Sequence, residues 1–218
     1  MLALYGHPFS SYTWKAQIAL HANDTPYELR VVDPEDPDHG AFLHDNAGPW
    51  GKFPVLRDRG AVIFESTSII EYLDRHHPGP ARLIPADPDA ALAERTLDRV
   101  FDNYVMEPMS AVVAEHIRAP GAADAARCDE ARDKLARSYA WLEQWLAGRD
   151  AAGDAISLIE CAAAPALFYA DWVAPIADSF PLLKAWRAHL LALPAVSRCV
   201  EAARPFRAWF PPGAPDRD

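Results

Sequence analysis

The spacing of apolar residues changes near residue 77, and this change constrains the fold more than any other feature of the chain. Before it, strand and helix periods alternate within short distances. Residues 2–5 form a short apolar run, residues 11–22 carry apolar side chains at helical spacing, and residues 27–32 alternate with period two. This order predicts a βαβ unit, whose connection is right-handed in nearly all proteins.

A hairpin and a helix complete this first half. Two apolar runs within residues 54–64 flank a turn sequence at 58–60, which predicts a β-hairpin. Residues 66–76 follow with helical spacing, and a short helical piece surrounds Phe42. The order βαβ followed by ββα predicts an α/β domain, in which a small mixed sheet has helices on both faces.

The second half is predicted to be all helix. A proline-rich segment, residues 78–88, is typical of a linker, and no convincing strand follows it. We expect Pro108 to kink the first helix beyond the linker. The segments with helical spacing are 89–117, 125–147, 157–172 and 179–196. The predicted organisation is therefore an α/β domain (1–77), a linker (78–88) and an all-helical C-terminal domain (89–218).

Charge and apolar content exclude several classes of partner. The formal net charge is -10, and no basic cluster is interleaved with aromatic residues, so we expect no nucleic-acid partner. The N-terminus lacks the basic flank and apolar core of a signal peptide. The most apolar stretch, residues 161–170, is far shorter than the ~20 residues of a membrane span. We therefore expect a cytoplasmic protein with no membrane partner.

The three cysteines are too far apart in sequence to suggest a shared site. Cys128, Cys161 and Cys199 show no C-x-x-C spacing, which zinc sites and redox pairs commonly use. Free cysteine is among the most buried residue types, and cytoplasmic thiols stay reduced. We expect three buried thiols and no metal site.

Hydroxyl residues stand at the starts of three predicted helices. Ser10 and Ser11 precede the first, and such a serine either caps the helix or lies beside a bound anion. Ser66 has the same two roles open to it at the start of the helix at 66–76. Ser157 and Glu160 fit the capping box S-x-x-E, for which we expect a structural role only.

Four local sequences occur in an order and spacing that resemble the cytosolic glutathione transferases. They are GKFPVL (51–56), FESTSIIEYLDRHHP (64–78), SLIECAAAPAL (157–167) and LPAV (193–196). With the two predicted domains, the resemblance covers nearly the whole chain. It implies a thioredoxin-like N-terminal domain, a helical-bundle C-terminal domain, glutathione as co-substrate and a homodimer.

The resemblance also implies a glutathione site in the first domain. A cis bond between Phe53 and Pro54 is expected to turn the backbone of Val55 outward, where a peptide can pair with it as an extra strand. Ser66 at a helix N-terminus would receive the γ-glutamyl carboxylate, and Glu65 the amine. The candidate glutathione-binding residues are Lys52, Phe53, Pro54, Val55, Glu65, Ser66 and, more weakly, His39.

The first helix is expected to activate the glutathione thiol. A free cysteine thiol has a pKa of about 8.5, and a hydroxyl that donates to the sulfur favours the thiolate. The stretch SSYTW is similar to serine-type transferases, especially the zeta-like pattern. The resemblance places Ser10 at the thiol, with Ser11 beside it and mainly supporting the helix start. Tyr12 stands where the zeta-like pattern has cysteine, which argues against zeta-type isomerase activity.

The electrophile is expected to bind next to the sulfur, between the domains. Its candidate walls are Phe9, Tyr12, Tyr104, Met109 and Trp209. Their character suggests a small hydrophobic electrophile, although the same residues are equally compatible with interdomain packing. The leading hypothesis is a glutathione transferase. The alternatives are a non-catalytic glutathione-binding, ligand-binding or assembly protein on the same scaffold, and a glutathione-dependent isomerase.

Overall fold

The computed structural model describes residues 2–33, 35–149 and 153–218. Its first part follows the predicted order of βαβ and then ββα. The elements are β1 (Leu2–Gly6), α1 (Ser11–Ala22), β2 (Tyr27–Val31), α2 (Pro37–Asn46), β3 (Val55–Asp58), β4 (Ala61–Phe64) and α3 (Ser66–His76). The predicted α/β arrangement of this half of the chain is confirmed.

The four strands form one mixed sheet in the order β2-β1-β3-β4. β1 pairs parallel with β2 and antiparallel with β3, and β4 pairs antiparallel with β3. Side chains alternate between the two faces, as the pleat requires. On one face Leu4 and Leu56 are buried with α1 and α3, and on the other Tyr5 and Val55 are buried against Leu43 of α2. The sheet is therefore covered by helices on both faces.

In the second part, every regular element among the described residues is a helix. The α-helices are α4 (Pro88–Val100), α5 (Glu107–Arg118), α6 (Ala125–Ala147), α7 (Leu158–Val173), α8 (Pro181–Ala192) and α9 (Pro194–Ala203). Six residues of π-helix, Phe101–Met106, join α4 to α5 just before Pro108, where the sequence predicts a kink. A short 3₁₀ segment, Arg204–Trp209, follows α9.

Helix α7 connects the two parts of the molecule. It is buried along nearly its whole length and packs against α1, with the Trp14 and Phe168 ring centroids 4.9 Å apart. Its predicted capping box is present, because the backbone N–H of Ser157 donates to Glu160 Oε2 at 2.9 Å and Ser157 Oγ accepts from the backbone N–H of Ile159 at 3.2 Å. This packing fixes the start of α1 against the helical part.

All three cysteines are free and buried, as the sequence predicts. Burial raises the pKa of the Cys161 and Cys199 thiols above the usual value, so both keep their protons at neutral pH. Within the described chain, no helix combines the length and the apolar character that crossing a membrane requires.

Candidate active site

The start of α1 carries the two serines, and Ser10 is its N-cap. Ser10 Oγ accepts a hydrogen bond from the backbone N–H of Thr13 at 3.3 Å, whereas Ser11 is the first helical residue. The expectation that Ser11 supports the helix start was therefore wrong, because the residue with extended backbone just before the helix is Ser10. A hydroxyl that accepts an N–H still has its own proton to donate. Ser10 can therefore cap the helix and donate to a bound group at the same time.

Two cavities meet beside this helix start. The first, here called the apolar cavity, has a volume of about 800 Å³, and Ser10 and Ser11 lie in its wall. The second, the polar cavity, has a volume of about 410 Å³, and Glu65 and Ser66 lie in its wall. Phe53 lines both. A ligand that fills the polar cavity therefore reaches the edge of the apolar one.

The polar cavity contains the start of α3. Ser66, 5% exposed, is the first helical residue, and Glu65 precedes it with φ 68° and ψ 118°. The N-cap residue, Glu65, makes no side-chain hydrogen bond to the N–H groups of this helix. Uncapped N–H groups at a helix start attract an anion. The positive φ of Glu65 is strained for a residue with a side chain, and such strain concentrates at binding sites.

The bond between Phe53 and Pro54 is cis, as expected from the resemblance. The structure corrects the role expected of Val55. The strand register pairs Val55 with Tyr5 on one side and Phe64 on the other, so it lies inside the sheet and has no free edge. Phe53 comes just before β3, outside the register, and its backbone bonds to no other described residue. The position where a peptide can pair is therefore Phe53.

A buried charge network behind the polar cavity was missed by the sequence reasoning. Lys15 Nζ donates to Asp98 at 2.6 Å and to Asp102 at 2.9 Å, and Arg99 donates to Asp102 at 2.6 Å. Asp102 and Arg99 also line the polar cavity. Burial raises the pKa of Asp102, although Lys15 opposes the shift. The acidic pair is visible in the sequence at helical spacing, but Lys15 comes from α1 and no local pattern links it to them.

The five residues expected to line the electrophile site lie in three different places. Phe9, Met109 and Trp209 line the apolar cavity, as expected. Tyr12 lines the polar cavity instead, and burial together with nearby Asp102 raises its pKa to about 12, so its hydroxyl keeps its proton. Tyr104, on the π-helical turn, is 61% exposed and lines a separate surface groove with Trp141. Neither tyrosine is a wall of the apolar cavity.

The glutathione candidates Lys52 and His39 also lie in different places. Lys52 is exposed and lines the polar cavity. His39 lines neither cavity, since its Nδ1 lies 2.6 Å from the backbone oxygen of Val31 and 3.3 Å from the carboxylate of Asp36. These contacts hold the His39 ring against the end of β2, away from Glu65. The structure does not bring His39 into the site.

Charge differs between the two cavities. Among the described residues, Lys52, Arg99, Glu65 and Asp102 give the polar cavity both signs of charge. The apolar cavity has Asp33 and Asp36 in its wall and neither lysine nor arginine among its described lining residues. No group of three or more metal-ligating side chains was found in the described residues. The polar cavity is therefore suited to a zwitterion, and the apolar cavity to an uncharged ligand.

A sheet of this order with a cis-proline before β3 and a helical second part defines a thioredoxin-like domain joined to a helical bundle. Residues 4–81 match the family model of the glutathione S-transferase N-terminal domain, and residues 100–194 match that of the C-terminal domain. The chain belongs to the glutathione S-transferase family.

Named relatives include both transferases and an isomerase. The chain is 29% identical to glutathione S-transferase 1 of Triticum aestivum, over 89% of this chain and 91% of the relative. It is 29% identical to a probable maleylacetoacetate isomerase of Vibrio cholerae, over 94% of this chain and 97% of the relative. A crystal structure of a Methylobacillus flagellatus glutathione S-transferase with glutathione bound has a TM-score of 0.78 at 26% identity, covering 91% of this chain and 98% of that one.

Proposed function

We propose that this glutathione S-transferase binds glutathione in the polar cavity and transfers its sulfur to a small, uncharged, apolar electrophile in the apolar cavity. The observation that carries the proposal is the position of Phe53, which lines both cavities and shares the apolar one with Ser10. A tripeptide that pairs with Phe53 has its thiol at the boundary between the cavities.

The charges of the polar cavity complement those of glutathione. The γ-glutamyl end carries a carboxylate and an ammonium group. The uncapped N–H groups at Ser66, with Arg99 nearby, suit the carboxylate, and Glu65 suits the ammonium. Lys52, on the loop before the cis-proline, is the candidate partner of the glycine carboxylate. Between these ends, the backbone of Phe53 pairs with the cysteinyl residue as an added strand.

Ser10 is the group that activates the thiol in this proposal. Its Oγ accepts from Thr13 and donates its own proton to the sulfur, and the N-terminus of α1 adds a favourable field for the negative charge. Both effects lower the pKa of the bound thiol. The thiolate electron pair then forms the sulfur–carbon bond, and the electrophile releases a leaving group or moves a π pair onto its own acceptor atom. No covalent bond to the protein forms.

The charge of the apolar cavity favours transfer over isomerisation. The substrate in the name of the Vibrio cholerae relative, maleylacetoacetate, has two carboxylates. The apolar cavity offers Asp33 and Asp36 in its wall, and its described residues include neither lysine nor arginine to pair with a dianion. Like charges at short range disfavour such a ligand. We therefore propose an uncharged electrophile.

We also propose that the chain forms a homodimer and works in the cytoplasm. An aromatic patch of Trp50, Phe64, Tyr104 and Trp141 surrounds Asn103, which lines both the polar cavity and the groove at Tyr104. All four patch side chains are exposed, and they come from both parts of the molecule. Exposed apolar clusters of this kind mark protein interfaces. Three reduced thiols fit a cytoplasmic location.

The test is a pair of serine variants with purified protein. Wild type should bind glutathione by calorimetry and consume it with a panel of uncharged electrophiles. Ser10→Ala should raise the pKa of the bound thiol by about one to two units, read from thiolate absorbance against pH, since a donor to a charged group is lost. Ser11→Ala is the matched control and should leave that pKa nearly unchanged.

Three other outcomes would contradict parts of this proposal. Glutathione binding without turnover of any electrophile would favour the non-catalytic alternative. Turnover of maleylacetoacetate at a higher rate than any uncharged electrophile would favour the isomerase. A pKa shift in Ser11→Ala alone would mean that the roles of the two serines are reversed.

A further inference from the structure

His7 lies in the wall of the apolar cavity and has a defined tautomer. It follows β1 directly, and its Nδ1 accepts a hydrogen bond from the backbone N–H of Phe9 at 3.0 Å. A ring nitrogen that accepts carries no proton, so the neutral imidazole of His7 carries its proton on Nε2. Burial lowers the pKa of His7, although Asp33 opposes the shift. The ring is therefore a neutral donor at physiological pH.

The Nε2 atom of His7 is buried and has no hydrogen-bond partner among the described residues. Buried polar atoms are nearly always satisfied, so an unpaired donor in the wall of a cavity needs an explanation. The ring packs against Phe206 and Trp209, with centroids 4.6 Å and 5.7 Å away. Because Nε2 is buried in this structure, a ligand reaches it only if a neighbouring side chain moves, and Trp209, 58% exposed, is the candidate.

His7 differs from the other polar residues around the apolar cavity. Asp33 and Asp36 are acidic, and Ser10 is assigned to the thiol under the proposed function. Ser110 is exposed, and Ser11 is part of α1. Among the described residues that line this cavity, His7 thus contributes a buried N–H donor that has no partner and no other assigned role. We propose that it donates to the carbonyl oxygen of an α,β-unsaturated carbonyl substrate, which makes such compounds the electrophile class of this enzyme. The inference rests on the proposed function.

The chemistry balances without a further reactant. The glutathione thiolate attacks the β carbon, a sulfur–carbon bond forms, and the carbon–carbon π pair moves so that negative charge develops on the carbonyl oxygen. His7 stabilises that enolate oxygen through the Nε2–H hydrogen bond and keeps its proton. The enolate then takes a proton from water at the α carbon. A donor placed where charge develops acts on the transition state more than on the substrate.

Two electrophiles of similar size test the inference. Benzylideneacetone has the conjugated carbonyl, and benzyl chloride has the same ring without an oxygen. In His7→Phe, kcat/KM should fall at least about tenfold with benzylideneacetone and less than about twofold with benzyl chloride. His7→Gln places an amide N–H near the position of Nε2 and should recover much of the loss. A role in packing alone would lower both activities together.

Binding of products to the wild-type protein gives an independent measurement if the variants fold poorly. The Nε2–H proton of His7, observed by NMR, should move downfield with the glutathione conjugate of benzylideneacetone and stay in place with S-benzylglutathione. The same position in both complexes would overturn the role of His7.

The kinetic outcomes separate the two proposals. Equal losses with both electrophiles, or no loss, would overturn the role of His7, as would a wild type that converts benzyl chloride but not benzylideneacetone. A wild type that binds no glutathione and converts neither would overturn the proposed function as well.

Discussion

Lys15 Nζ lies 2.6 Å from a carboxylate oxygen of Asp98, and both side chains are 1% exposed. Asp102 completes the arrangement, so one buried cation serves two carboxylates that come from a different part of the chain. Without Lys15, the two carboxylates would keep only Arg99 as a cationic partner among the described residues, and its side chain is 51% exposed. The network therefore couples the stability of the helical part to α1.

We expect Lys15→Met to lower the free energy of unfolding by roughly 3–5 kcal/mol, because Asp98 and Asp102 lose their buried partner. The measurement is urea denaturation. Lys184→Met is the matched control, since Lys184 pairs with Asp178 at the surface, with side chains 48% and 97% exposed. The control should lose less than about 1 kcal/mol. Equal losses in the two variants would contradict a stabilising role for the buried network.

Glu65 should show a conflict between stability and binding. Its positive φ is strained for a glutamate, so Glu65→Gly should raise the free energy of unfolding by about 1 kcal/mol. The same variant removes the carboxylate and should weaken glutathione binding at least about tenfold. Glu65→Gln keeps the backbone strain and should weaken binding alone. Calorimetry and urea denaturation separate the two effects, and a Glu65→Gly variant with unchanged affinity would remove Glu65 from the proposed site.

Glu94 should make stability depend on pH. Burial, with Glu160 adding negative charge, raises the pKa of Glu94 from its usual 4.5 to about 7. The native state therefore holds this proton more tightly than the unfolded state, so stability falls as pH rises from about 4.5 to about 7 and falls no further above that range. Glu94→Gln should flatten the change in melting temperature between these values. Glu28→Gln, at the exposed position of β2, is the matched control for the loss of one carboxylate.

The aromatic patch should hold two copies of the chain together. Sedimentation of the wild type at micromolar concentration should give twice the mass of one chain. Trp50→Glu places a charge where the side chain is 67% exposed in the single chain and should shift the mass toward that of a monomer. Leu182→Glu, at an exposed leucine outside the patch, should remain a dimer. A monomeric wild type would refute the dimer, and a dimeric Trp50→Glu would place the interface elsewhere.

Local patterns predicted most of the fold. Period, turn residues and prolines were enough to predict the strands, the hairpin and the α/β order, because each depends on neighbours within a few residues. Ser157 and Glu160 formed the predicted capping box for the same reason. The π-helix at Phe101–Met106 was not predicted, because six residues are too few to show a period of their own within a longer helical pattern.

The site was predicted less completely because its geometry depends on contacts between distant segments. The sequence does not show which serine has the extended backbone of a cap, and the support of the helix start was assigned to Ser11 instead of Ser10 for that reason. Val55 was preferred to Phe53 because the strand boundary and pairing were unknown. The role of Lys15 could not be predicted without knowing that the fold brings it to Asp98 and Asp102. The role of His7 could not be predicted from the sequence, because whether a ring nitrogen has a hydrogen-bond partner depends on the folded structure around it.

The burial of the three cysteines affects how well the enzyme keeps its activity under oxidising conditions. Cys128, Cys161 and Cys199 are all covered by the fold, and none lines the apolar or the polar cavity. The reacting sulfur in the proposed reaction arrives with each molecule of glutathione and leaves with the product. An oxidant that would permanently inactivate a catalytic cysteine would here oxidise glutathione, which is replaced at each turnover. Turnover during oxidative stress is then limited by the supply of reduced glutathione, and the protein itself outlasts the exposure.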